Sequence, residues 1–217
     1  MAEQPFFWDM FQPNAEIADP EFGTLRFEQR TIGRLNLPSG RIVACDALID
    51  PQPTPFGLEI APGYYPVRIA IGRFANGDER IAAAMLQVVD EEPADWGAAL
   101  LVGQHPESVD EEDLPGYGVD SGSGSFLSLE AAEFLASRLD EAVAAHIAGR
   151  MEENYRHTRA WADILLDPAR ALNAIIFSSG LGDGAYPSFW GISADGRPLC
   201  LITEFGVAQP PEEGGAV

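Results

Sequence analysis

Two hydrophobic periods run along this chain. The first is the two-residue alternation of a half-covered strand. It is clearest in Val67-Arg68-Ile69-Ala70-Ile71, and Arg80–Val89 is a second apolar strand. Asn76-Gly77 lies between them, the dipeptide that supplies positive φ in a tight turn, so the pair predicts a β-hairpin. Thr31–Leu37 and Arg41–Ile49 flank Pro38-Ser39-Gly40 and predict another. Ser188–Ile192 and Leu199–Phe205, around Ala194-Asp195-Gly196-Arg197, predict a third. Gly97–Val102 and Asn173–Phe177 are further short strands.

The second period is helical. Ala131, Leu135, Leu139, Val143 and Ile147 recur every four residues, which predicts a helix face packed on a sheet. Ser128 suits the N-cap, and Glu130 and Glu133 suit the positive helix end. A second helix is predicted over about Met151–Leu166, with Tyr155, Thr158, Trp161 and Leu165 on one side and Pro168 ending it. Strands, then helices, then strands argue for the α+β class. The expected architecture is a largely antiparallel β-sheet or sandwich with two central helices, about 128–148 and 151–166, packed on it. Residues 1–22, with three prolines, read as an irregular arm with a short helical turn at Pro5–Phe11. Residues 23–208 read as a single domain, and 209–217 as a disordered Pro/Gly/Glu tail. No repeat of 20–50 residues is present.

Composition narrows the function. With 217 residues and 46% hydrophobic content, the chain can bury one sizeable core. No apolar run approaches the ~20 residues of a membrane span. The N-terminus lacks a basic region followed by an apolar stretch, so a cytoplasmic location is expected. Cys45 and Cys200 sit in strand-like apolar contexts and read as reduced core thiols. The net charge is −21, and all 13 basic residues are Arg. Without Lys there is no Walker-type phosphate loop, no Schiff base and no Ser–Lys dyad. The charge argues against nucleic acid and anionic membranes. It favours a cationic partner: a basic protein, a metal ion or a cationic small molecule. Residues 90–113, with nine acidic residues and no Arg, form either a solvated loop or an acidic partner-binding surface.

Two Gly-rich segments frame an Asp. Gly116–Ser125 places Asp120, Ser121 and Ser123 just before a helix N-terminus. It is either a backbone nest for an anion or a tight turn held by Asp120. It is not the hydrolase Gly-x-Ser-x-Gly elbow. Ser178–Gly191 places Asp183 between glycines, followed by Tyr186 and Trp190. There the alternatives are a ligand loop and a sharp bend with aromatics in the core. Asp120, Asp183 and Glu204 are the candidate acid/base set or hard oxygen ligands; Ser121, Ser123, Tyr186 and Trp190 are candidate ligand contacts. His105, His146 and His157 have no zinc-ligand spacing, and no motif calls for a cofactor.

Five motifs occur in order: Leu37-Pro38-Ser39-Gly40-Arg41-Ile42-Val43-Ala44-Cys45-Asp46, Pro62-Gly63-Tyr64-Tyr65-Pro66-Val67, Gly118-Val119-Asp120-Ser121-Gly122, Gly182-Asp183-Gly184-Ala185-Tyr186-Pro187 and Cys200-Leu201-Ile202-Thr203-Glu204-Phe205. Over roughly residues 30–207 the chain resembles the bacterial domain-of-unknown-function family 4241. The family's Asp-Ser-Gly loop often continues Thr-Gly-Cys; here Ser123-Gly124-Ser125 offers no nucleophilic Cys. The last strand often carries Asp where Glu204 stands. The resemblance implies an intracellular bacterial protein and brings no established activity. Two functions stay open: an immunity-type protein that binds and neutralises a basic partner, or a small hydrolase or metal-assisted enzyme using the Gly-framed aspartates.

Overall fold

The computed structural model describes residues 4–105, 107, 116–156 and 158–209. His157, most of the second half of the acidic stretch and the tail from 210 lie outside the described residues. Among the described residues twelve strands form two antiparallel sheets. The large sheet runs β1 (Glu16–Asp19), β2 (Gly23–Leu37), β4 (Gly63–Arg73), β5 (Glu79–Gln87), β12 (Pro198–Glu204), β11 (Gly184–Ile192), β6 (Asp95–Ala98), and β7 (Gly116–Val119) pairs with the other end of β11. The small sheet runs β3 (Ile42–Cys45), β8 (Ser123–Ser128), β10 (Leu172–Ser178), β9 (Trp161–Asp167). The fold is α+β and dominated by a sandwich of sheets.

Two of the three expected hairpins form. β4 pairs β5 around Gly77, which takes φ +89°, and β11 pairs β12 around Gly196 at φ +84°. The third does not. β2 pairs β4, while β3 pairs β8 in the other sheet, so the chain crosses between sheets at Pro38-Ser39-Gly40. Leu35, Leu37 and Ile42 are all fully buried around this corner, Leu35 and Leu37 in the ladder with β4 and Ile42 in the ladder with β8. Gly40 has φ +78°, and a Cβ there would run into the Ile60 carbonyl.

The small sheet is covered on both faces. Ile42, Ala44, Phe126, Ile175 and Phe177 face the large sheet. Val43, Cys45, Leu127, Ala174 and Ile176 face the helices. That is why β10 reads as a continuous apolar run instead of an alternation. Cross-sheet amides pin one end: Asn173 Oδ1 accepts from Asn36 N (2.9 Å), and Asn173 Nδ2 donates to the Arg34 carbonyl (2.9 Å).

The helices differ from the sequence expectation. The first ends early, as α2 (Leu129–Ala136), and α3 (Glu141–Glu152) restarts after a break. Asp140 caps α3 by accepting from Val143 N at 2.9 Å, while Ser128 caps α2 as expected. The four-residue stripe bridges the break because both helices face the same sheet surface. The second expected helix, 151–166, is instead the end of α3 followed by β9. Ala162 and Ile164 are buried and Asp163 and Leu165 exposed, a period of two that edge pairing with β10 selects. The N-terminal arm is also more ordered than its composition suggests. After α1 (Phe6–Asp9), β1 pairs β2, and Phe7 stacks on Phe189 at 4.6 Å on the outer face of the large sheet.

Candidate functional site

β3 delivers its last apolar residues into the core and then Asp46, a carboxylate only 2% exposed. Burying a charge requires hydrogen bonds or a counter-charge. Asp46 has the first. Its Oδ2 accepts from Asp120 N (2.9 Å) and Ser121 N (2.7 Å), and its Oδ1 from Ser121 Oγ (2.8 Å), Leu48 N (3.1 Å) and Ile49 N (3.3 Å). One side chain thereby ties the turn after β3 to the corner between β7 and β8. That corner abuts the second Gly-rich loop. Val119 pairs with Gly184, and Ser179 N donates to the Gly122 carbonyl at 3.0 Å.

Beside Asp46 lies a cavity of about 220 Å³. The end of β3, the loop through Phe56, the segment after β6, and strands β7 and β11 enclose it. Buried Ala44, Phe56 and Ala99 supply apolar wall, and Asp50 and Asp120 are exposed. Among the described residues its lining includes three carboxylates and neither Arg nor His. None of the ion pairs among the described residues involves Asp46, Asp50 or Asp120, although Arg side chains pair with acids elsewhere.

Several of the groups that could attack a substrate here are held. The Cys45 thiol is pushed up to about 12 by burial, so it is protonated near neutrality. Burial also raises the Tyr117 hydroxyl. Ser121 Oγ donates to Asp46, and Ser188 Oγ pairs with Thr203 Oγ1 at 2.7 Å.

Among the residues singled out from sequence, Asp120 and Tyr186 line the cavity. Ser121 stands behind it on Asp46. Ser123 is buried in β8 opposite Ser178. Asp183 sits exposed on the abutting loop, outside the lining. Glu204, half-buried at the end of β12, is also outside it; burial raises its carboxyl to about 7, against a hydrogen bond from Gly206 N (2.6 Å). Tyr186 links these groups: burial, then the charges of Asp183 and Glu204, raise its hydroxyl, which donates to the Gly182 carbonyl at 2.8 Å. Trp190 packs edge-on to Phe56, in the wall behind the cavity. Among the described residues no three His, Cys, Asp or Glu side chains are placed to hold a metal ion. Cys45 and Cys200 are free and buried. Asp46 is the residue that reasoning from types and spacing passed over. Its only signal was a carboxylate closing an apolar strand.

No described helix is long and apolar enough to cross a membrane. No curated protein and no solved structure matches the chain. The family model described as protein of unknown function (DUF4241) matches residues 35–203, most of the chain, which therefore belongs to that family.

Proposed function

We propose that this chain is a binding protein that engages and neutralises a basic protein partner. The observation that carries the reading is the cavity: all its charged lining among the described residues is carboxylate, and no described Arg pairs with those carboxylates. The net charge of −21 adds long-range attraction to any cationic surface. The held thiol and hydroxyls favour binding over nucleophilic chemistry. Affinity capture from a lysate of the source cells at low salt is expected to recover a basic protein that is released as salt shortens the Debye length to about 3 Å at 1 M. Capture of no basic protein, or capture insensitive to salt, would sink the reading.

A second reading, a hydrolase or metal-assisted enzyme, draws support from Asp120 on the cavity wall. It requires a turnover that Asp120→Asn abolishes and the remote Asp195→Asn leaves intact.

A further inference from the structure

Asp46, Asp50 and Asp120 face one cavity that no Arg or His among the described residues lines. Asp120 can offer both carboxylate oxygens, and Asp50 its Oδ1, since Gln52 Nε2 donates to Asp50 Oδ2 at 2.6 Å. Asp46 differs, because its five donors fill the roughly four acceptor positions of a carboxylate. It has little capacity left for a ligand hydrogen bond. At 2% exposure its partners among the described residues are N–H and O–H groups. Buried charges are ordinarily paired with an opposite charge or a metal, and none of the described side chains supplies one.

Size restricts what could. A cavity of about 220 Å³ lies below the ~300–1,000 Å³ of sites for drug-sized ligands. At ~30 Å³ per water it corresponds to about seven waters, close to the roughly seven heavy atoms of an arginine side chain. The apolar wall of Ala44, Phe56 and Ala99 suits an aliphatic stem, and the carboxylates suit its charged head.

We propose that the cavity is the receptor for a single basic side chain of the protein partner, a guanidinium or ammonium on an aliphatic stem. This rests on the binding reading and adds to it the point of insertion.

The test titrates the full chain with N-acetyl-arginine amide, N-acetyl-lysine amide and the uncharged isostere N-acetyl-citrulline amide, read by calorimetry or amide NMR shifts. Saturable millimolar binding of arginine or lysine amide is expected, with citrulline at least tenfold weaker. Asp120→Asn should weaken binding about tenfold, with the largest NMR shifts at residues 44–56 and 117–120. The Asp120 carboxylate makes no hydrogen bond among the described residues, so this variant should fold normally; Asp195→Asn, on a remote hairpin, is the control. Equal binding of citrulline, no saturation by either cation, or equal loss in both variants overturns the inference. If the partner is captured equally by wild type and Asp120→Asn, the insertion point is wrong while the binding reading stands. If the amides bind but no basic protein is ever captured, the partner reading fails instead.

Discussion

Asp46 shows what one side chain can organise. Replacing it with Ala would strand the N–H groups of Leu48, Ile49, Asp120 and Ser121 together with the Ser121 hydroxyl. A buried donor left unsatisfied costs ~1–3 kcal/mol, and several are lost at once. Asp46→Ala is therefore expected to lose at least about 3 kcal/mol, seen as a lower urea midpoint with unchanged slope. A loss under about 0.5 kcal/mol would show that the network is slack. Local spacing could not reveal this hub, since Asp120 and Ser121 lie 74 and 75 residues away. Asp120 was legible because glycines flank it in sequence. Those glycines signal a turn, and here the turn forms a cavity wall.

Elements followed the sequence where turn chemistry was local. Asn76-Gly77 sets its hairpin whatever surrounds it, and the structure has nothing within 4 Å of a Cβ added at Gly77. Pro38-Ser39-Gly40 carries an equally good turn signal and makes a crossover, because the partner of β3 is β8, more than 80 residues on. β9 was read as helix for a similar reason. Its Ala, Ile and Leu suit either state, and its pairing with β10 and the contacts of the Trp161 ring with the guanidiniums of Arg30 (5.3 Å) and Arg159 (5.5 Å) belong to the tertiary fold. The two glycines give a paired prediction. Gly77→Ala should cost only the ~1–2 kcal/mol of positive φ in an L-residue. Gly40→Ala adds a collision with the Ile60 backbone and should cost distinctly more by chemical denaturation. Equal costs would show that the corner relaxes freely.

At the scale of the molecule, charge and burial combine in the pH profile. The Glu204 carboxyl is raised by burial from 4.5 to about 7, so the folded chain holds that proton more tightly than the unfolded chain. Its contribution to stability is complete below the unfolded value and is lost as pH rises through the folded one. With a net charge of −21, each further ionisation also adds self-repulsion. The melting temperature is expected to fall by roughly a few degrees between about pH 5 and pH 7, and Glu204→Gln should flatten part of that fall. A Glu204→Gln profile parallel to wild type would exclude Glu204 as a source.

The cavity also lies on a seam. One wall comes from the end of β3 in the small sheet and another from β7 and β11 in the large sheet. Anything lodged there touches both halves of the sandwich and resists their sliding or peeling apart. An occupant would act as a rivet, adding RT ln(1 + [L]/Kd) to the stability of the joint. A side chain seated there would then be gripped harder when pulled across the seam than when drawn straight out of the mouth.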